Sequence, residues 1–209
     1  MEFAELAGIL LGDGGISNTQ VRITISALVD RQYAKFISKL VYNVFGEHPS
    51  VFERLEDNTI NLTVSGIALV ELLLKWGFVK GNKIVQEIDF PQWIWSDRQF
   101  QKACIRGLID TDGGLYFHRH WVKGIRYRNL GLCFSSGSKP LLNSVSKVLN
   151  DYNIIHSLDK KGRLYIYSLE QIKKYFSIFG TNNSKNKHKI DYHLKYNRVI
   201  DKAIKGGVG

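Results

Sequence analysis

The sequence predicts an α+β protein made of two pseudo-symmetric α-β-β-α-β-β-α halves, each with helices on one face of a curved four-stranded antiparallel sheet. The first observation is a repeat, since residues 8–16 (GILLGDGGI) align with residues 107–115 (GLIDTDGGL) at an offset of 99 positions in a chain of 209. The second is that the same order of alternating and helical patterns follows each copy. The third is a hydrophobic fraction of 44%, which allows a buried core and argues against a disordered polyelectrolyte.

Strand and helix patterns in the first half follow its motif copy directly. Residues 21–26 alternate with period two, so their odd-numbered members are expected to face the core. Residues 30–45 carry an apolar stripe at helical spacing. Residues 60–64 alternate again, and residues 66–76 are predicted to form a helix that ends near Gly77.

The second half repeats this order after its own copy. Its predicted elements are a strand over residues 129–135, a helix over 139–152, a turn at 159–162, a strand over 163–167 and a helix over 169–179 that ends at Gly180. One face of each sheet is left open to solvent or a ligand. We therefore predict a first half of residues 1–88, a linker of residues 89–98 that contains Pro91, and a second half of residues 99–209 with a basic C-terminal tail.

The positive charge is concentrated in the second half. The formal net charge is +10, with 9 basic against 12 acidic residues in residues 1–98 and 20 against 7 in residues 99–209. A basic region of this kind indicates a polyanionic partner, most often nucleic acid. Composition alone fits a solvated basic surface equally well.

Composition also disfavours several classes of protein. Two cysteines, Cys104 and Cys133, exclude a disulfide scaffold, and the lack of a CxxC pair disfavours structural zinc. No apolar run approaches the roughly 18–20 residues that span a bilayer. The N-terminal segment has acidic residues where a secretory signal has basic ones. We therefore expect an intracellular protein, cytoplasmic, nucleoid-associated or organellar, that is not secreted.

Small residues recur at four-residue spacing in both motif helices and would let two helix backbones approach closely. Both helices end in Asp-Gly-Gly, for which we predict a left-handed glycine cap. Side-by-side packing would bring Asp13 and Asp112 together at the negative ends of the two helix dipoles. A divalent cation bound by both carboxylates would offset this repulsion, and metal-assisted phosphodiester hydrolysis needs such a site. The small residues are Ala4, Gly8 and Gly12 in one helix and Ala103, Gly107 and Thr111 in the other.

The segments LAGILLGDG (residues 6–14) and IRGLIDTDG (residues 105–113) resemble the two signature helices of single-chain LAGLIDADG homing endonucleases. The resemblance covers nearly the whole chain and implies a homing endonuclease-like fold joined through the paired motif helices. It implies a monomer acting as a pseudo-dimer that saddles a long, pseudo-palindromic or asymmetric duplex DNA target. It also implies Mg²⁺ between the motif carboxylates, cleavage of both strands with short 3′ overhangs, and a role in intron homing.

Carried over by position, the resemblance makes Asp13 and Asp112 the catalytic metal ligands. It counts Gly12 and Thr111, which directly precede them, among the metal-binding residues. Asp110 also matches a motif position, but it lies two residues earlier and points elsewhere on the helix. We therefore leave Asp110 out of the metal site.

Two lysines resemble the active-site lysines of the family. Lys83 and Lys187 follow the glycines that end equivalent helices by six and seven residues. Lys80 and Lys185 compete with them for these roles. The second copy also departs from the motif at Arg106, where the family has alanine, so Arg106 is expected to leave the helix–helix seam.

DNA contacts are expected from polar side chains on the outward strand faces, because a two-stranded ribbon can read donors and acceptors in the major groove. The basic tail after residue 183 is expected to add phosphate contacts, and the four tryptophans are expected to pack in the core or linker. The predicted DNA-binding residues are Asn18, Gln20, Arg22, Thr24, Ser26, Arg54, Asn61 and Thr63 in the first half, and His118, His120, Arg126, Arg128, Lys161, Arg163, Tyr165 and Tyr167 in the second.

The leading hypothesis is a site-specific, metal-dependent DNA endonuclease. The alternatives are an intron RNA maturase, which would bind its host intron, and a non-catalytic DNA-binding protein with the same fold. Both motif carboxylates are present, which favours the nuclease. An intein is disfavoured, because the chain has neither a Cys or Ser at its start nor a His-Asn ending.

Overall fold

The computed structural model describes residues 1–123, 125–195 and 201–202, without the side chains of residues 120, 122, 125–127, 201 and 202. The fold is α+β, as predicted, with two antiparallel sheets and helices against one face of each. The first half comprises α1 (Glu2–Gly12), β1 (Gly14–Ile16), β2 (Gln20–Ser26), α2 (Arg31–Phe45), β3 (Ser50–Arg54), β4 (Thr59–Ser65) and α3 (Ile67–Lys75).

The second half repeats this order and adds elements after it. A short 3₁₀ helix, Gln92–Ser96, lies in the predicted linker. The tail, for which the sequence suggested only phosphate contacts, contains a helix of its own, α7. The elements are α4 (Arg98–Asp112), β5 (Gly113–Val122), β6 (Ile125–Ser135), α5 (Lys139–Asp151), β7 (Ser157–Leu158), β8 (Arg163–Ile166), α6 (Leu169–Ile178), α7 (Ser184–Lys195) and β9 (Asp201–Lys202).

The two sheets have the same strand order and the same register. The first runs β1-β2-β4-β3 and the second β5-β6-β8-β7, with β9 also against β6. In the first sheet Ile23 lies opposite Gly14 on one side and Leu62 on the other. In the second sheet Phe134 lies opposite Gly113 and Leu164 in the same way. Ile23 and Phe134 are therefore equivalent positions, and every other position on the two sheets can be matched from them.

Alternation along the strands decides which face is buried, as predicted. Val21, Ile23 and Ile25 are almost inaccessible, whereas Arg22 and Thr24 between them are exposed. The helices cover the buried face, and their apolar stripes complete a core that runs through both halves. No helix in the described part of the chain is long and apolar enough to cross a membrane.

The motif helices α1 and α4 pack with their backbones in direct contact. A Cβ atom added to Gly8 would lie 2.0 Å from the carbonyl oxygen of Cys104, and one added to Gly107 would lie 2.2 Å from that of Glu5. This approach is closer than any side chain allows, so the predicted stripe of small residues is confirmed as the reason the helices can meet. For Arg106, which is expected to leave the seam, the structure shows a contact across the helix pair, because its guanidinium forms an ion pair with Glu5 of α1 at 2.6 Å.

The predicted left-handed caps after the motif helices are wrong. The backbone at Asp13 has φ −85° and ψ 4°, and Gly113 is extended with φ −113° and ψ −174°. At both motifs the backbone passes directly from helix into strand. Glycine is needed there because a Cβ atom would collide with the preceding helix. A Cβ on Gly14 would lie 2.5 Å from the carbonyl oxygen of Leu10, and one on Gly113 would lie 2.8 Å from that of Ile109.

Aromatic side chains hold the linker against the first half. Phe3 stacks on Trp93 with ring centroids 4.9 Å apart, and Trp76 meets Phe3 edge-on at 5.3 Å. Trp95 lies under the ammonium of Lys147, 4.6 Å from the ring centroid. The prediction of packing roles is therefore confirmed for these three tryptophans. It is wrong for Trp121, whose side chain on β5 is 58% exposed.

Candidate active site

Asp13 and Asp112 meet at the C-terminal ends of the paired motif helices. The pairing is parallel, and a Cβ placed on Gly12 would lie 3.4 Å from Cγ of Asp112. Burial raises the pKa of Asp13 to about 7, and the neighbouring Asp112 carboxylate acts in the same direction. Burial also raises the pKa of Asp112. Two partly buried carboxylates that disfavour each other's charge form a site where a cation would be stabilising.

Lys83 lies beside this pair, at the end of α1. Its ammonium donates to the carbonyl oxygens of Leu10 at 3.3 Å and Leu11 at 2.9 Å, and to that of Gly12. These carbonyls form the negative end of the helix dipole, which a cation stabilises. Burial lowers the pKa of Lys83, and the charges of the two motif aspartates raise it. Its competitor Lys80 instead donates to Asn18 at 3.2 Å.

In the second half, the structure brings Lys185 rather than Lys187 close to the carboxylates. The ammonium of Lys185 lies 3.1 Å from the Asp30 carboxylate, and its charge lowers the pKa of Asp13. Lys187 is exposed, and its charge is not among those that shift the pKa of either motif aspartate in the described part of the chain. Both lysines lie on α7, and two positions along a helix differ by roughly 200° in direction. Spacing after Gly180 could not choose between them without knowledge of this helix.

Asp30, the first residue before α2, belongs to the site although its sequence context does not indicate it. Asp30 is buried, and its carboxylate accepts a hydrogen bond from the Asn183 side chain at 2.7 Å as well as the Lys185 ion pair. Its charge raises the pKa of Asp13. A carboxylate at a helix N-terminus is ordinarily explained as a cap, so the sequence carried no signal of a partner 153 residues away.

Asp110 serves the structure. It is 2% exposed and accepts hydrogen bonds from the backbone amides of Asn182 at 2.7 Å and Asn183 at 3.1 Å, from the Asn186 side chain at 3.1 Å, and from Thr181. These bonds fix the segment between α6 and α7. They use the carboxylate fully, in keeping with its omission from the predicted metal site.

The donors at the aspartate pair suit a hard cation such as Mg²⁺. Carboxylate and carbonyl oxygens are the ligands that this ion prefers, and it is usually held by one or two carboxylates plus substrate phosphates and water. The carbonyl of Gly12 already accepts from Lys83, and the Thr111 hydroxyl donates to its own helix at Gly107 and Leu108. No group of three or more His, Cys, Asp and Glu side chains that could hold a metal occurs among the described residues. Any further ligands of an ion here would come from backbone carbonyl oxygens, DNA or water.

The open face of the first sheet carries hydrogen-bonding side chains at its predicted positions. Arg22 is exposed, and Thr24 donates to Asn61 at 2.7 Å across the β2–β4 pair. Arg54 is exposed beside Asp57, with 3.6 Å between charged groups. Asn18 is exposed, whereas Gln20, Ser26 and Thr63 are partly accessible.

The second sheet differs from the prediction at Arg128. Arg128 lies two residues before the buried Leu130 on β6, so both side chains point to the same face of the sheet. Its guanidinium lies 3.8 Å from the centroid of the Phe117 ring and 5.3 Å from that of the Tyr192 ring on α7. Arg128 therefore packs on the helix side and is not available on the open face. The predicted His120 and Arg126 side chains lie outside the described part of the structure.

The remaining predicted residues of the second half are accessible. His118, Lys161 and Tyr167 are exposed, and Tyr165 is partly exposed. Arg163 forms an ion pair with Asp159 at 2.8 Å. Tyr116, which the sequence analysis did not select, joins Tyr165 on this face with ring centroids 6.3 Å apart.

Comparison with known proteins finds a family match in the second half. Residues 99–180 match the model of the LAGLIDADG-like domain family. A reverse gyrase from Methanocaldococcus jannaschii is 25% identical over 185 residues, which cover 84% of this chain. The chain spans about a tenth of the length of that curated relative, because the match covers 10% of it.

Solved structures share the fold of the whole chain. The I-LtrWI LAGLIDADG homing endonuclease bound to target DNA matches with a TM-score of 0.64 and 12% identity, over 93% of this chain and 89% of that one. Mesophilic variants of the homing endonuclease I-DmoI match with a TM-score of 0.57 and 18% identity, over 86% of this chain and 94% of that one. Full-length DUF199/WhiA from Thermatoga maritima matches with a TM-score of 0.58 and 15% identity, over 97% of this chain and 62% of that one. The chain therefore has the fold of the two-motif LAGLIDADG homing endonucleases.

Proposed function

We propose that the protein is a site-specific endonuclease that cleaves both strands of a long duplex DNA target by metal-assisted hydrolysis. The observation that carries this proposal is the meeting of Asp13 and Asp112 where the two halves join. Burial raises the pKa of both carboxyl groups there, so the pair favours a bound cation. Similarity in fold to an endonuclease bound to its target DNA supports the same substrate class. Intron homing and short 3′ overhangs belong to this proposal.

A divalent ion held by Asp13 and Asp112 would activate water and stabilise the leaving oxygen. The chain's own residues hold and surround that site. Lys83, fixed to the end of α1, places a positive charge where a phosphate would approach. Lys185 is held near Asp13 by Asp30. We propose Lys83 and Lys185 as the basic residues of the site, with Lys185 in the role first given to Lys187.

The open sheet faces would bind the DNA on either side of the carboxylates. Arg22 is exposed on β2 and Tyr167 is exposed directly after β8, and a two-stranded ribbon of this kind fits the major groove. The second half carries 20 basic against 7 acidic residues and would neutralise most of the phosphates. This division leaves the first half to contribute mainly base contacts.

The test compares cleavage and binding in Asp13→Asn and Asp112→Asn with those of Asp151→Asn, an exposed carboxylate at the end of α5. Targets are selected from a random duplex library with Ca²⁺ present and then incubated with Mg²⁺. Either motif variant should lose cleavage by orders of magnitude and keep its binding in Ca²⁺, while the control cleaves normally. Full cleavage by either motif variant would show that the assignment is wrong.

The same assay separates the alternatives. A DNA-binding regulator would bind the selected duplex and leave it intact in Mg²⁺ and in EDTA alike. An intron maturase would prefer structured RNA to the duplex in direct competition. The endonuclease should bind the duplex and cut it only with the metal present.

A further inference from the structure

The open faces of the two sheets carry different chemistry at equivalent positions. Because Ile23 and Phe134 are equivalent, Arg22 corresponds to Cys133 and Gln20 to Gly131. The next strand of each sheet adds a third pair, since Thr63 lies opposite Arg22 and Tyr165 lies opposite Cys133.

Further equivalent positions extend the contrast. Tyr116 lies three residues after Gly113, as Ser17 lies three after Gly14. Tyr167 lies two residues after Tyr165, as Ser65 lies two after Thr63. Side chains that hydrogen-bond in the first half are thus replaced by aromatic rings or small residues in the second.

Three of these replacements form one aromatic surface, the tyrosine patch, defined by Tyr116, Tyr165 and Tyr167. Tyr165 stacks on Tyr167 with centroids 5.4 Å apart and an interplanar angle of 11°, and Tyr116 meets Tyr165 edge-on at 6.3 Å. Tyr167 is 59% exposed. The patch is therefore ordered by its own contacts while one side stays accessible.

Gly131 makes room for this arrangement. A Cβ atom there would lie 2.5 Å from Cζ of Tyr116, so the ring lies directly on the glycine backbone. Burial raises the pKa of Tyr116 to about 12, so the phenol is neutral at physiological pH. The patch presents carbon surface to a ligand without a charge of its own.

In the major groove, base pairs present either hydrogen-bonding edges or a methyl group, and these two kinds of group suit the polar first sheet and the aromatic second sheet respectively. Guanine and adenine present hydrogen-bonding edges that Arg, Asn and Gln read, whereas thymine presents its C5-methyl group to apolar side chains. We propose that the tyrosine patch reads thymine methyl groups, whereas Arg22 and its polar neighbours read hydrogen-bonding base edges. The preferred target is then asymmetric, with thymines concentrated in the half-site under the second sheet. This inference rests on the proposed function.

The experiment removes only the methyl groups. Targets selected from a random duplex library by the full chain in Ca²⁺ are resynthesised with deoxyuridine for thymine in one half-site at a time. Binding should weaken about fourfold for each bound methyl group removed from the half-site under the second sheet, and should change little in the other. The half-site of the first sheet is identified as the one in which Arg22→Ala relaxes base preference.

Variants then test the residues. Tyr165→Thr installs the residue of the equivalent position in the first half and should abolish the penalty for deoxyuridine, and Tyr165→Phe should preserve it because the ring makes the contact. Tyr42→Thr makes the same change at an exposed tyrosine of α2, away from the open faces, and is the matched control that should leave the penalty unchanged.

Three results would overturn the inference. Equal affinity of the wild-type protein for thymine and deoxyuridine targets would show that the three tyrosines only pack on one another. Loss of the penalty in Tyr165→Phe would show that the hydroxyl, not the ring, reads the base. Failure to select any duplex would overturn the proposed function itself, which distinguishes it from the other two results.

Discussion

Adding one methyl group at Gly8 should destabilise the fold because the added atom has nowhere to go. Its Cβ would lie 2.0 Å from a backbone oxygen of α4, where ordinary contact begins at 3.4 Å, so the helices must separate by about 1.4 Å. The neighbouring atom belongs to backbone and cannot rotate away. Gly107→Ala meets the same obstacle from the other helix, with 2.2 Å to the Glu5 carbonyl oxygen.

Two opposing effects set the magnitude. Alanine gains about 1 kcal/mol over glycine inside a helix. Overpacking a core costs about 1–3 kcal/mol when side chains can adjust, and a clash with backbone lies at or above the upper end. We therefore expect Gly8→Ala to lower the free energy of unfolding by about 2 kcal/mol or more, the overpacking cost exceeding the helix-propensity gain.

Urea denaturation measures this free energy, and Gly15→Ala is the matched control. The position of its Cβ is 4.0 Å from the carbonyl oxygen of Arg22 and meets no closer atom. This control should unfold at the wild-type midpoint. Cleavage by Gly8→Ala should also fall by about a hundredfold, because a shift of about 1 Å in catalytic groups has that effect. An unchanged or higher midpoint for Gly8→Ala would refute the account of the helix seam.

Three further predictions use other parts of the structure. Because burial raises the pKa of Asp13 from 3.8 to about 7, the metal-free protein should lose stability as the pH rises through that range. Asp13→Asn should reduce this loss in thermal melts at pH 4 to 8, and the part that remains comes from Asp110 and Asp112, whose pKa burial also raises. Asn183→Ala breaks bonds to two buried oxygens and should cost about 1–3 kcal/mol in urea, unlike Asn143→Ala on the surface of α5. Lys187→Gln should weaken binding to specific and random DNA alike, and in a salt series it should flatten the slope of log affinity against log salt by about 0.9 for each phosphate that is no longer neutralised. Arg22→Ala should instead relax base preference, at a cost of about 1–3 kcal/mol in binding to the preferred base pair.

Most of the fold could be predicted because its determinants are local. The alternating pattern places Ile23 and Phe134 in the core. Gly77 and Gly180 end the helices that precede them, with left-handed φ angles of 91° and 71°. The repeat then fixes the relation between the halves. The backbone at Gly113 was mispredicted, because the close approach of Ile109 cannot be read from a sequence that also fits an ordinary cap.

The site was predictable only in part. Asp13 and Asp112 follow from the repeat itself. Lys185 depends on α7 and on Asp30, and both were hidden because they act through contacts between distant segments. Arg128 alternates with Leu130 toward the buried face, but its charge favoured the open face. The cation–π contact with Phe117 that places it on the buried face depends on tertiary packing, which the sequence does not show.

The contacts that join the halves around Glu5 and Asp30 have a consequence for any attempt to exchange them. Glu5 meets Arg106 at 2.6 Å and Asn182 at 2.5 Å, and Asp30 meets Asn183 and Lys185, so each of these four partners comes from the second half. A homodimer assembled from two first halves would bury four such carboxylates and supply none of these partners. The duplicated units are therefore no longer interchangeable parts, and chimaeras with a foreign second half must import these complementary residues along with the sheet.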